Sequence, residues 1–512
     1  MNDFPERGKK HPLLWLGFAV ATAALHLACL TRYGWFRDEF YYVACARHLA
    51  WGYVDHPPLS IGLLALARAA FGESLFAVRL LPVIAAAASV FLTGRLAAEL
   101  GGGRYAQALA CLAATLTPVY LAMGHFYSMN AFDLLLWTAA ILVLAQVLRE
   151  GRPHYWVGLG LVLGLGILNK LSMSWLVMAL GAGLALTAHR RVLRTPWPYV
   201  ALLIAVSLTV PHVLWQIAND WPTAEFMRNA TGEKMTAVSP ADFVLDQIMA
   251  MGPANVVIWM SGLVFALVAP VGRRWRILAL VYLAVALPLV AGGRSRASYL
   301  AVAYPMLLGL GGMALERLTE ARPWRRLRAP LLASTLLFGL VPVPMVLPVF
   351  PVETFIRYQA ALGLAPSTDE NKEVGPLSQH YADMFGWAEM VAEVAKAYQG
   401  LTAGEREKAV VLGQNYGEAG AVDVLGRKHG LPRAVSGHNN YWLWGAGDWD
   451  GSVMIVIGGD PEEGSRFFEE WERVGTIDSP YAMPYERGLG VFVGRRFRFD
   501  PHQAWERMRH FD

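Results

Sequence analysis

Apolar residues fall in blocks of roughly 16–22 as far as Leu347, each close to the length that crosses ~30 Å of hydrocarbon. Short arginine-bearing breaks separate the blocks. The pattern predicts eleven membrane spans, near residues 12–31, 76–98, 105–124, 131–148, 154–168, 171–189, 197–217, 254–271, 275–291, 298–315 and 329–350. The fifth and sixth are parted only by Asn169-Lys170. Two intervening segments are too long for turns. Within 33–74, residues 40–51 carry apolar positions at helical spacing around Arg47 and His48, which predicts an amphipathic helix lying at the membrane surface. A second short helix follows Pro58. Within 219–252, residues 242–251 repeat the amphipathic pattern. After Pro351 the texture becomes globular: 409–413, 452–458 and 489–493 read as strands, 417–429 and 461–474 as helices. The expected fold is an α-helical polytopic membrane domain over 1–351 followed by a soluble α/β domain over 352–512.

Composition agrees. A chain of 512 residues that is 55% hydrophobic and 16% charged has too little charge to cover a soluble surface. Net charge is +4 with the bases spread through short loops, which excludes a nucleic-acid footprint. Cys29, Cys45 and Cys111 all precede the soluble domain, which therefore carries no disulfide. The first apolar block lacks a clear cleavage site and reads as a retained span. Eighteen Lys and Arg fall in the loops on one side of the spans and ten in the short loops on the other. The richer side is cytoplasmic, so the N-terminus lies inside the plasma (inner) membrane and the C-terminal domain outside.

The chemistry-bearing residues gather on that outer side. Arg37-Asp38-Glu39 opens the first outer segment at a helix start, which favours carboxylates and holds them rigidly. Tyr53-Val54-Asp55-His56-Pro57-Pro58-Leu59 follows. A third cluster runs from His125 to Asp133. Asp133 either caps the fourth span or takes part in chemistry. Lys170, Arg294 and Arg296 are outer cations, as readily snorkelling or loop-solvated as functional. Acids and bases facing one membrane surface suit an anionic lipid headgroup, with bases for phosphate and acids for a proton or a metal.

The Arg-Asp-Glu, the Asp-His-Pro-Pro-Leu, the Asp after the third span and the basic-then-tyrosine segment Arg294–Tyr299 resemble the GT-C membrane glycosyltransferases. The nearest groups are glycosyltransferase family 39, that is, the protein O-mannosyltransferases, with the lipid A aminoarabinose and rhizobial galacturonosyl transferases. The resemblance covers roughly residues 12–350. Tyr416–Gly420 and Ser436–Trp442 also look like segments of bacterial members. It implies an inverting enzyme that moves a hexosyl or pentosyl group from a polyprenyl-phosphate donor to a lipid A, glycan, lipid or protein acceptor. Asp38 would be the base, with Glu39 beside it, and Asp133 the second acid. Asp55-His56 stands where the aminoarabinose transferases carry Glu-Lys next to the lipid phosphate, and histidine there makes the contact pH-dependent. His56, Lys170, Arg294 and Arg296 are the expected phosphate-binding residues, with Asp55, Tyr299 and His125 against substrate. Asp38 and Asp133 are the candidate ligands of a divalent cation, Mg²⁺ or Mn²⁺. The competing reading is a transporter or lipid flippase with an outer accessory domain. That calls for paired half-sequences or polar residues at mid-membrane, whereas here the ionisable residues collect at one side.

Overall fold

The computed structural model describes residues 6–512. A helix lies at each of the eleven expected spans. Five helical stretches are each long and apolar enough to cross a bilayer: Leu75–Leu100, Met129–Glu150, Trp197–Ala218, Gly272–Ala291 and Trp324–Val346. Three more candidates are bent pairs, among them Arg104–Leu116 with Pro118–His125, at 58°. That break falls where Pro118 starts a new helix, its missing N–H costing nothing at a first helical position. Leu203, Leu214 and Phe338 stay exposed on the outermost helices, as a lipid-facing surface requires. Inside the bundle, the Val256–Val268 and Tyr304–Leu318 helices cross closely. A Cβ on Gly262 would sit 2.3 Å from the Leu307 carbonyl oxygen, and one on Gly311 1.9 Å from that of Ile258. Only glycine permits that approach, the usual way membrane helices gain van der Waals contact.

The C-terminal part holds a five-stranded sheet of β1 (Val410–Leu412), β2 (Ala434–Val435), β3 (Val453–Ile457), β4 (Phe468–Ile477) and β5 (Leu489–Phe497), in the order β2-β1-β3-β5-β4. β1 runs parallel to both neighbours, and β5 runs antiparallel to β3 and β4. Central β3 is buried at all five positions, which explains its unbroken Val-Met-Ile-Val-Ile run. The Trp387–Gln399 and Tyr416–Leu425 helices cover one face. Trp449 and Trp505 pack on the other.

Two expectations are corrected. Of the helix expected over 461–474, only Gly464–Phe467 forms; from Phe468 the chain is β4, paired with β5. The Phe467-Phe468-Trp471 spacing imitates a helical face, but Trp471 stacks on Phe492 across the strands (4.6 Å) and a register shift at Arg473/Gly475 breaks the alternation. The helix expected at the membrane surface is Arg37–Arg47, and it is not superficial. Every residue from Glu39 to Ala46 is buried, between the bundle and the Tyr416–Leu425 helix. A Cβ on Gly420 would lie 2.7 Å from the Phe40 Cβ. Two of its polar residues meet the C-terminal domain: Tyr41 bonds Asn440, and Arg47 the Asp423 carbonyl. All three cysteines are free and buried.

Candidate active site

The Arg37–Arg47 helix places two adjacent acids in opposite surroundings. Glu39 is wholly buried and fully engaged. Arg79, itself 0% exposed, donates to both its oxygens at 2.8 Å. The backbone N–H groups of Phe36 (2.9 Å) and Tyr127 (2.8 Å) donate to it as well. The Phe36 bond caps the helix start, the other three tie it to the bundle, and no oxygen is left for a substrate, so Glu39 is assigned a structural role. Asp38 points the other way, and its side chain keeps 34% exposure. Tyr416 Oη donates to Asp38 Oδ1 at 2.9 Å, and Arg37 Nε stands 3.4 Å from the same oxygen. Tyr416 is held by Asn415, which caps the Tyr416–Leu425 helix through the Gly417 and Glu418 N–H groups, and by stacking on Tyr41 (4.7 Å).

Arg37 is the hub of the half of the site next to the C-terminal domain. Its backbone N–H donates to the Asp383 carbonyl (3.0 Å) and its Nη1 to Tyr485 Oη (2.8 Å). Its side chain also reaches Asp383 Oδ2 (3.7 Å) and Glu370 Oε1 (3.8 Å). Burial pushes the Asp383 carboxyl up to about 6, against the lowering influence of Arg37. Burial likewise pushes Glu486 up to about 7 and raises its neighbour Glu418, whose charge Glu486 disfavours further. Arg37, Glu370, Tyr416, Tyr485, His438 and Asp512 line a cleft of ≈ 340 Å³.

On the bundle side, Arg296 Nη2 lies 3.2 Å from that same Glu370 Oε1. Lys170 sits over the Tyr299 ring (5.4 Å), donates to Asn130 Oδ1 (2.7 Å) and stands 3.7 Å from Asp133 Oδ2. Asp133 is buried and accepts from Ser172 Oγ at 2.8 Å. It is not the helix cap, a place Ser128 takes. The expected residues Asp38, Asp133, Lys170, Arg296 and Tyr299 thus join two linked groups of charges.

Four others stand apart. His56 is 1% exposed in an aromatic box, stacked on Tyr42 (4.9 Å), and its ring nitrogens reach no hydrogen-bond partner. A phosphate has no way in, so the phosphate contact expected of His56 is withdrawn. Asp55 beside it (3.6 Å) accepts from Tyr41 Oη and keeps partial exposure. Arg294 is spent on the exposed Thr231 and Gly232 carbonyls of the short Ala230–Lys234 helical turn. His125 is buried at a helix end against His26 (6.4 Å). As for a cation shared by Asp38 and Asp133, among the described residues no group of three His, Cys, Asp or Glu includes either acid within ligand reach.

The profile of the family described as dolichyl-phosphate-mannose-protein mannosyltransferase matches residues 55–215. An undecaprenyl phosphate-α-4-amino-4-deoxy-L-arabinose arabinosyl transferase of Pseudomonas paraeruginosa is 29% identical over 235 residues. That match spans 42% of this chain and 42% of the relative. A second such transferase, from Pseudomonas fluorescens, is 26% identical over 338 residues, 61% of this chain and 60% of the relative. Among solved structures, ArnT from Cupriavidus metallidurans superposes with a TM-score of 0.62 in its apo state and 0.59 bound to undecaprenyl phosphate. Both superpositions cover 94% of this chain and 97% of that one at 15% identity.

Proposed function

The chain has the fold of the GT-C membrane glycosyltransferases, and from that premise we propose that it moves a sugar from a polyprenyl-phosphate carrier to a hydroxyl-bearing acceptor, with inversion. The observation that supports this best is the string of charges Asp38–Arg37–Glu370–Arg296, with steps of 3.4, 3.8 and 3.2 Å. It runs from a partly open carboxylate to a cation on the bundle, and its two middle members, Arg37 and Glu370, line the cleft.

Asp38 takes the proton of the acceptor hydroxyl as its oxygen attacks the anomeric carbon, since a sugar hydroxyl is a poor nucleophile without a base in reach. The bond from that carbon to the phosphate oxygen breaks on the opposite face. Charge grows on the leaving phosphate where water is scarce, and Arg296 and Lys170 meet it. Tyr416 orients the base, and Asp133 with Ser172 positions Lys170. Glu370 holds Arg296 until the phosphate displaces it. The polyprenyl tail stays in the bilayer, so the site opens sideways to lipid. The transporter or flippase reading finds no support, as the relatives named above are transferases.

The aminopentose on undecaprenyl phosphate is the first donor to assay. Detergent-purified protein incubated with radiolabelled polyprenyl-phosphate pentose or hexose and envelope lipids is expected to move the label to a new product, and Asp38→Asn to abolish this. Label that stays on the carrier with every such donor refutes the proposal. The orientation proposed, cytoplasmic N-terminus and outer C-terminal domain, has its own test. Ser465→Cys, exposed on the short Gly464–Phe467 helix, is expected to react with an impermeant maleimide in intact cells. Labelling only after lysis reverses it.

A further inference from the structure

His438 and His510 lie far apart in sequence and side by side in space. The His510 N–H donates to the Gly437 carbonyl and the Asn439 N–H to the His510 carbonyl, both at 3.0 Å. These two bonds make an isolated parallel bridge that pairs His438 with His510. Residues paired in a bridge send their side chains to the same side, and along an extended chain the second residue on returns to it. Asp512 therefore joins the two imidazoles. The approach is close because residue 437 is glycine: a Cβ there would lie 2.0 Å from the Met508 carbonyl oxygen.

The result is one compact donor set. The ligand atoms of His438, His510 and Asp512 lie within 4.8 Å of one another, the one such group among the described residues. His510 Nδ1 donates to the Met508 carbonyl (2.9 Å), which fixes the tautomer and leaves the Nε2 lone pair free. Metal-ligating imidazoles are held in this manner. His438 is 6% exposed and packs against the Tyr416 ring (4.6 Å), with its Nε2 3.5 Å from Asp512 Oδ1. Asn439, next to it, is fully buried at φ 48°, a conformation rare outside glycine, and its side-chain amide has no hydrogen-bond partner. Strain and an orphaned amide of this kind collect at sites that bind something.

We propose that His438, His510 and Asp512 bind one divalent transition-metal ion of the zinc type. Two imidazoles and a carboxylate suit Zn²⁺ far better than Mg²⁺, which prefers an all-oxygen octahedron. Three protein ligands leave a fourth position, and all three line the cleft that holds Arg37 and Tyr416. Without the ion, His438 Nε2 donates to the Asp512 carbonyl (3.0 Å) and its Nδ1 accepts from the Tyr416 N–H at a long 3.4 Å. Loading the ion at Nε2 replaces the first bond, moves the ring proton to Nδ1 and opens the second. The ion also staples residues 508–512 to the loop that bears His438.

The test needs no transfer assay, so it stands whether or not the proposed reaction does. Full-length protein, stripped by chelator in detergent, is titrated with Zn²⁺ against a chromogenic competitor. Wild type is expected to take up one equivalent. His510→Ala, at an exposed position, and Asp512→Asn are expected to weaken binding by about tenfold or more. His502→Ala, an exposed histidine outside the set, is expected to bind as wild type. Co²⁺ in place of Zn²⁺ is expected to give visible tetrahedral absorption that His510→Ala loses. Absence of stoichiometric uptake, or His510→Ala binding as tightly as wild type, overturns the site.

Discussion

Adjacent acids with opposite fates offer a sharp perturbation. Glu39→Gln removes one charge from a pair in which both side chains are 0% exposed. Glutamine keeps an oxygen for the Tyr127 N–H but presents an amide to Arg79, which is left charged and buried. Removing one partner of such a pair costs about 3–5 kcal/mol, enough to lower the unfolding midpoint by several degrees. Asp38→Asn preserves shape and loses only the base. It is expected to leave the midpoint unchanged while transfer falls about 10²–10⁴-fold. The assay pairs a thermal melt in detergent with the transfer rate per mole of folded protein. Glu39→Gln with Arg79→Met is expected to recover only part of the loss, because Arg79 also donates to the Leu30 and Gly34 carbonyls (2.7 Å each). An unchanged midpoint in Glu39→Gln together with abolished transfer would refute the structural role and return Glu39 to the chemistry.

Tyr416→Phe removes one hydrogen bond to a charged group; at about 1.5 kcal/mol that is a roughly tenfold drop in kcat at an unaltered midpoint, read from initial rates. Arg296→Ala is expected to raise KM for the donor about tenfold or more, with little effect on the acceptor, since a charge-assisted contact is worth about 1.5–3 kcal/mol. Arg296→Lys should recover only part, because lysine lacks the planar fork. Asp383 holds its proton up to about pH 6 when folded, above the ordinary aspartate value. The folded state thus binds a proton the unfolded state releases, and stability falls as pH rises from about 4 through about 6. Asp383→Asn is expected to flatten that part of the pH–midpoint curve; an identical slope in wild type and variant would show that another group is responsible.

The helical blocks were legible because apolar length and arginine breaks are local signals. Asp38 was legible from its place at a helix start just after a span. Other features depend on partners distant in sequence. Nothing near Glu39 announces Arg79, forty residues on and a helix away. His56 reads as an exposed loop base until Tyr41, Tyr42 and Tyr53 close around it. Glu370 and Asp383 lie in an irregular stretch with no periodicity to single them out, and they matter because Arg37 reaches both and Arg296 reaches Glu370. Tyr416 did stand in a segment noticed for its family likeness, and a buried tyrosine at a helix start was the available hint of a polar partner. β4 misled because its aromatic spacing serves cross-strand stacking, which a one-dimensional pattern cannot distinguish from a helical stripe.

The burial of the Arg37–Arg47 helix bears on how such molecules can be recombined. Phe40 meets Gly420 and Trp387 on one side, while Glu39 and Tyr42 meet Arg79 and Tyr127 on the other. The eleven residues are thus a shared seam, read by two surfaces at once. A chimera that joins the helices of one homologue to the sheet of another mismatches one surface wherever the crossover is placed, unless both donors agree along this helix. Substitution in the C-terminal domain around 416–423 is therefore constrained by the Arg37–Arg47 helix that it packs against.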